Sequence, residues 1–95
     1  MPEMRFHVRW PDGATEACYS PSLVVKDHMR AGASYPLLDF LARCRIALTL
    51  ASERVREKYG FPCSRALSQL ARIEAGASRC EAIPDAQVAI LCFEE

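Results

Sequence analysis

The stretch from Pro36 to Tyr59 constrains the fold most, because it contains no glycine and no internal proline and is periodic throughout. With successive residues placed 100° apart, its apolar residues fall within an arc of about 100°, the width of a helix face that packs on a core. These residues are Leu37, Phe40, Leu41, Cys44, Leu48, Ala51, Val55 and Tyr59. Pro36 suits the first helical position, and Gly60 suits the left-handed residue that closes a helix. The sequence therefore predicts one long α-helix over 36–59.

The N-terminal residues 4–10 alternate between apolar and polar side chains, which predicts a half-buried strand. Its apolar side consists of Met4, Phe6, Val8 and Trp10, and its polar side of Arg5, His7 and Arg9. Residues 11–13 (Pro-Asp-Gly) supply turn chemistry, so residues 15–19 are expected to return as the second strand of a hairpin. Glu16 is expected near the polar side of the first strand, where opposite charges would face each other.

The segment between this hairpin and the long helix gives weaker signals. Ser20 followed by Pro21 is typical of a helix start and predicts a short helix over 21–29, with an extended segment as the alternative. Residues 30–35 contain Gly32 and Ser34 and are expected to form a loop.

A second helix follows the long one after a brief connection. Either Cys63 or Ser64 is expected to cap it, and it runs to about Arg79. The short connection makes the two helices an antiparallel hairpin. The apolar run over 86–93 is too short for a helix and predicts a final strand, which we place beside the first.

These elements predict a single α+β domain over residues 1–95. Its sheet is three-stranded and mostly antiparallel, built from the N-terminal hairpin and the C-terminal strand in the order 2-1-3, with the helical hairpin packed on one face.

Apolar residues are left over outside the core of this arrangement. The last strand would present either Val88, Ile90 and Cys92 or Ala89, Leu91 and Phe93 on the second face of the sheet. Ile46 and Leu50 lie on the side of the long helix opposite its core stripe. Exposed apolar area beyond scattered single residues marks an interface. Either the 21–29 segment or a terminus covers these residues, or the chain forms a homodimer through the sheet or through the long helix, where Ile46 and Leu50 are the candidate interface.

Composition excludes several classes of function. The formal net charge is zero at pH 7, so there is no overall attraction to nucleic acid or to an anionic membrane. No apolar run approaches the roughly 18 residues of a membrane span, and no export signal is recognisable. The five cysteines are odd in number and lack CxxC pairing, which predicts free thiols in a cytoplasmic protein. No metal-ligand spacing is present, and we expect neither a metal nor a cofactor.

Cys63, Ser64 and Arg65 form the most reactive-looking combination in the chain. A thiol at a helix N-terminus beside an arginine meets two conditions that favour a thiolate, so a nucleophile or a thiol-based sensor is one interpretation. A purely structural cap, for which the serine is sufficient, is the other. No sequence motif of an enzymatic reaction is present, and the sequence does not predict an enzyme.

Arginines recur every seven residues on the second helix, at Arg65, Arg72 and Arg79. They lie along the side opposite the apolar face of that helix. Such a row can bind phosphates, carboxylates or an acidic partner, and it is also what the solvated side of any soluble helix presents.

Several segments together resemble a small bacterial family of nitrogen-starvation response proteins. The segments are RWPDG at 9–13, CYSPS at 18–22, YPLLDFLAR at 35–43, ALTLASERVREKYGF at 47–61, CSRA at 63–66 and LARIEA at 70–75. Members of that family are usually encoded with a nitrilase, in clusters linked to nitrile or cyanide nitrogen assimilation. The resemblance implies a cytoplasmic accessory role, and we expect the protein to act by binding either a partner protein, such as a cluster-encoded enzyme, or a small metabolite. It makes Cys18, Ser20, Cys63, Ser64 and Arg65 the candidate binding or reactive residues.

Overall fold

A four-stranded antiparallel sheet with two helices on one face forms the fold in the computed structural model, which describes residues 2–95. The elements are β1 (Met4–Arg9), β2 (Thr15–Ser20), a 3₁₀-helix (Leu23–Asp27), β3 (Ser34–Pro36), α1 (Leu37–Tyr59), α2 (Ser64–Cys80) and β4 (Gln87–Glu94). The strand order is β2-β1-β4-β3. The predicted α+β class and the position of the last strand beside the first are therefore confirmed.

The prediction of three strands is wrong by one, because the segment expected to be a loop over 30–35 ends in strand β3. Ser34 lies opposite Ala89 and Pro36 opposite Gln87, which makes β3 the edge of the sheet. A proline is tolerated on an edge strand, where its missing N–H faces no partner. Three residues show no periodicity, so only pairing with β4 identifies them as a strand.

An irregularity in the register between β1 and β4 decides which residues of the last strand face the core. His7 lies opposite Cys92 while Val8 lies opposite Ile90, so Leu91 is an extra residue on β4. Such a bulge changes which face the following side chains occupy. Neither predicted set is therefore correct as a whole: Val88 and Ile90 are buried, as is most of Phe93, whereas Ala89 and Cys92 lie on the outer face.

Glu16 does not lie near the polar side of β1 as predicted. It pairs with Val8, so its side chain is on the inner face, and Thr15, Ala17 and Tyr19 are the residues opposite the polar positions of β1. The prediction failed because the hairpin register could not be derived from the turn residues alone.

Both long helices start and end close to the predicted residues. Pro36 occupies the N-cap of α1 instead of the first helical position, and Gly60 closes the helix with a left-handed φ of 87°, as predicted. Cys63 is the N-cap residue of α2, but its side chain makes no capping hydrogen bond. The buried residues of both helices join those of the sheet and of the 3₁₀-helix in one core.

The predicted short helix over 21–29 is present as the shorter 3₁₀-helix. Its N-cap is Ser22, which accepts the N–H of Val24, and not Ser20 as the Ser-Pro pair predicted. Val24 and Val25 are buried. Within residues 2–95, neither this helix nor any other segment covers the candidate interface, since Ile46 remains 52% and Leu50 43% exposed.

Candidate functional site

A surface pocket of about 300 Å³ lies where the first half of α2 meets the end of β2. Its lining residues are Tyr19, Ser64, Arg65, Ser68 and Arg72. Residues 64, 68 and 72 follow one another at helical spacing, so they share one side of α2. The pocket therefore combines two guanidinium groups, two aliphatic hydroxyls and one phenol.

The start of α2 is positioned by a contact with α1. The backbone N–H of Cys63 donates a hydrogen bond to Oγ of Ser52 at 3.2 Å, and Ser52 is buried on α1. Because Cys63 offers no capping bond, no N-cap side chain satisfies the first N–H groups of α2. These groups carry partial positive charge, which adds to that of the two arginines.

Arg65 lies over the aromatic ring of Tyr19. The guanidinium carbon is 4.0 Å from the ring centroid, within the range of a cation–π contact. Nη1 of Arg65 also lies 3.8 Å from Oε2 of Glu3, and both side chains are more than half exposed. The ring thus fixes the direction of the arginine, while the ion pair with Glu3 contributes little.

Arg72 is held by Gln69, a fully buried side chain that links α2 to β2. Oε1 of Gln69 accepts Nη2–H of Arg72 and the backbone N–H of Tyr19, each at 3.0 Å. Its Nε2 donates to Oε2 of Glu16 at 3.1 Å, and Oε1 of Glu16 accepts the indole N–H of Trp10 at 3.0 Å. This partly buried network is anchored by the buried side chains of Gln69 and Trp10, which restrict the arrangement of its other members. Gln69 therefore sets the position of Arg72 in the pocket.

Tyr19 contributes a protonated phenol. Burial is the main cause that raises the pKa of Tyr19, and the neighbouring Cys63 acts in the same direction, against the opposing effect of Arg65. Near neutral pH the hydroxyl therefore remains a hydrogen-bond donor as well as an acceptor.

The structure separates the five candidate residues into two groups. Ser64 and Arg65 line the pocket, and Cys63 lies beside it at the start of α2. Cys18 is fully buried in the core, and burial raises the pKa of its thiol. Ser20 is also buried, where its hydroxyl donates to the backbone oxygen of Ser22 at 2.7 Å and accepts the Ser22 N–H at 3.3 Å. These bonds hold the turn after β2.

Sequence reasoning missed two pocket residues, Tyr19 and Ser68. The spacing of Ser64, Ser68 and Arg72 could have indicated a polar side of α2, but nothing in the sequence places Tyr19 against it. The three arginines of the predicted row do not all line the pocket. Arg79 lies away from the pocket and donates from Nε to Oδ2 of Asp12 at 2.8 Å.

Other possible sites give less support for a function. A second pocket, of about 550 Å³, lies between the start of α1 and the segment after α2, and it is lined mainly by apolar residues. Across residues 2–95, no group of three or more potential metal-ligating side chains comes together. None of the helices in this part of the chain is both long and apolar enough to cross a membrane. All five cysteines are free thiols.

Comparison with known proteins identifies a family. The family model described as nitrogen starvation-induced protein NitG matches residues 5–93, nearly the whole chain. The resemblance inferred from the sequence segments is thereby confirmed at the level of the family. No curated protein and no solved structure gives a match.

Proposed function

Because the chain belongs to the NitG family of nitrogen starvation-induced proteins, we propose that it serves this response as an accessory protein that binds a small anionic metabolite. The binding site is the pocket formed by Tyr19, Ser64, Arg65, Ser68 and Arg72. The observation that carries the proposal is that both guanidinium groups are held in place by other parts of the protein before any ligand arrives.

Pre-positioning of this kind lowers the entropic cost of binding. Arg65 rests on the ring of Tyr19, and Arg72 is bonded to the buried Gln69. Guanidinium groups bind carboxylates and phosphates through two parallel hydrogen bonds, which makes them suited to anionic ligands. The hydroxyls of Ser64 and Ser68 add donors on the same side of the helix.

The proposed accessory role includes a partner protein and a cellular location. Following the family resemblance, we propose that the protein acts in the cytoplasm and supports nitrile or cyanide nitrogen assimilation, with a nitrilase encoded in the same cluster as its partner. We also propose that it works as a homodimer through the exposed residues Ile46 and Leu50. To test the nitrilase link, the two purified proteins are mixed at defined concentrations and run on a size-exclusion column, where a complex would elute earlier than either protein alone.

Isothermal titration calorimetry at fixed ionic strength tests the ligand-binding function. Inorganic phosphate, acetate and succinate serve as probes. We expect at least one of them to bind the unmodified protein, and Arg65→Ala and Arg72→Ala each to weaken that binding by about tenfold or more, as for the loss of one charged hydrogen-bonded pair. Arg9→Ala removes an equivalent charge from the outer face of β1 and is the matched control. If no probe binds, or if Arg9→Ala has the same effect, the proposal is wrong.

A second candidate function uses the thiol of Cys63. This residue is partly exposed and lies beside the pocket at the start of α2, where no N-cap side chain bonds to the first N–H groups of the helix. The protein would then be an enzyme or a thiol-based sensor, with Arg65 orienting an anionic substrate. Alkylation by iodoacetamide near neutral pH distinguishes the two: a Cys63 that reacts no faster than a model thiol rules the thiol function out.

A further inference from the structure

Arg65 and Arg72 line the same pocket although they lie almost two turns apart on α2. Their residue numbers differ by seven, and at a rise of 1.5 Å per residue their Cα atoms are about 10.5 Å apart along the helix axis. Ser68 lies between them and lines the pocket too. The pocket therefore extends along the helix and has one cationic residue toward each end.

Each guanidinium is held by a different contact with the protein. Arg65 lies over the ring of Tyr19, and Arg72 donates to Oε1 of Gln69. A single small anion would have to be shared by two guanidinium groups that are held against different partners, the ring of Tyr19 and Oε1 of Gln69. A ligand that carries two separate acidic groups can use both arginines where they already lie.

We infer that the ligand of the proposed binding function is a short aliphatic dicarboxylate. One carboxylate binds Arg65 and the hydroxyl of Ser64, the other binds Arg72, and the chain between them passes Ser68. The volume of about 300 Å³ agrees with a ligand of this size, because it is at the lower end of the range of roughly 300–1,000 Å³ for small-molecule pockets. The inference rests on the proposed function, since it names the ligand class of the same pocket.

Glu3 already offers a carboxylate to one end of the pocket. Its Oε2 lies 3.8 Å from Nη1 of Arg65, a distance too long for a direct hydrogen bond. A ligand carboxylate that binds Arg65 would displace this weak and exposed ion pair. Glu3→Gln should therefore strengthen binding of the dicarboxylate severalfold, because it removes both a competitor and a like charge.

The test is a titration series at constant ionic strength with acetate, malonate, succinate, glutarate, adipate and inorganic phosphate, followed by calorimetry. We expect the affinity to pass through a maximum at one chain length and to exceed that for acetate by at least about tenfold. Arg65→Ala and Arg72→Ala should each reduce the affinity for the best dicarboxylate to that for acetate. Arg9→Ala should leave the whole series unchanged, and circular dichroism checks that the variants are folded.

The possible results separate this inference from the proposed function. If phosphate binds more tightly than every dicarboxylate, or if affinity does not depend on chain length, the pocket binds anions but the dicarboxylate inference is wrong. The same conclusion follows if only one of the two arginines affects dicarboxylate binding, or if Glu3→Gln weakens it. If none of the six probes binds, both the inference and the proposed function are wrong.

Discussion

The ring of Trp10 lies directly against Gly76 of α2. A Cβ atom added at position 76 would come within 2.6 Å of Cζ2 and 2.7 Å of Cη2 of the indole, well inside van der Waals contact. The indole also makes an edge-to-face contact with Phe40 of α1, at 5.6 Å between ring centroids and an interplanar angle of 87°. Trp10 therefore joins both helices to the end of β1, and the missing side chain of Gly76 is what allows this approach.

We expect Gly76→Ala to lower the free energy of unfolding by about 1–3 kcal/mol, the usual cost of overpacking a well-filled core. The loss should occur even though alanine favours a helix by about 1 kcal/mol over glycine, because the indole is buried and also packs against Phe40, which limits how far it can shift. Urea unfolding followed by tryptophan fluorescence measures the change. Ser78→Ala, at an exposed position two residues later, is the control and should change stability by less than about 0.5 kcal/mol. A Gly76→Ala variant as stable as the unmodified protein would contradict the expectation.

We expect Gln69→Leu to destabilise the protein by about 1–3 kcal/mol, because it leaves the N–H of Tyr19 and one carboxylate oxygen of Glu16 without their partner. The same change frees Arg72 from its fixed position, so anion affinity should fall even at temperatures where the variant is fully folded. Chemical denaturation and calorimetry measure the two effects. Gln87→Leu makes the same substitution at an exposed position on β4 and should alter neither quantity. Unchanged anion affinity in folded Gln69→Leu would show that Gln69 does not position Arg72.

Asp12 makes the stability of the hairpin depend on pH. The N–H of Ala14 donates to its carboxylate and Arg79 lies beside it, and these contacts hold the pKa of Asp12 below its ordinary value. A lowered pKa in the folded state stabilises the protein above the unfolded-state pKa of about 3.9, and this stabilisation is lost as the pH falls through the folded-state pKa. Asp12→Asn should therefore lose less stability than the unmodified protein when the pH falls below about 4.

Melting temperatures at pH 6 and at successive values below pH 4 measure this effect. Arg79→Gln is the comparison, because it removes the charged partner of Asp12 and keeps the largest single cause of the lowered pKa, the hydrogen bond from Ala14. Its pH dependence should lie between those of the unmodified protein and of Asp12→Asn. Equal loss of stability in all three proteins would contradict the argument.

The sequence was sufficient to predict the elements whose side chains repeat with a clear period. The stripe of α1, the alternation of β1 and the apolar run of β4 each identify an element because burial of one face determines the pattern. β3 has only three residues, and its pairing with β4 depends on the position of the whole sheet. The position of Glu16 depends on a hairpin register that the turn residues did not specify.

The candidate site was predictable only in part, because only some of its residues belong to a local sequence pattern. Ser64 and Arg65 were found because they start a helix, and Arg72 because it repeats Arg65 after seven residues. Tyr19 belongs to the pocket only because the free edge of β2 lies beside α2, where Gln69 accepts its N–H. Contacts between residues 50 positions apart have no local signal in one sequence. Buried Cys18 and Ser20 were candidates by resemblance alone, and the geometry gives them packing and turn contacts.

The cysteines should differ sharply in their reaction with iodoacetamide under native conditions. Cys92 is exposed and Cys63 is partly exposed, whereas Cys18, Cys44 and Cys80 are buried. Burial also raises the pKa of Cys18 and of Cys44, which keeps both thiols neutral. Mass spectrometry should find label on residues 63 and 92 first and on the other three only after denaturation. Labelling of Cys18 as fast as Cys92 in the folded protein would contradict the fold.

The exposed side of α1 leads to a prediction about assembly. Leu38, Ile46 and Leu50 are 77%, 52% and 43% exposed, and their spacings of eight and four residues leave several large apolar side chains on the outer side of the helix. A twofold homodimer would bury these side chains against those of a second copy. We expect the protein to have the mass of a dimer in light scattering, and Ile46→Lys to give a folded monomer. Leu67→Lys changes an equally exposed leucine on α2 and should leave the dimer intact. A monomeric mass for the unmodified protein at high micromolar concentration would show that these side chains do not mediate self-association.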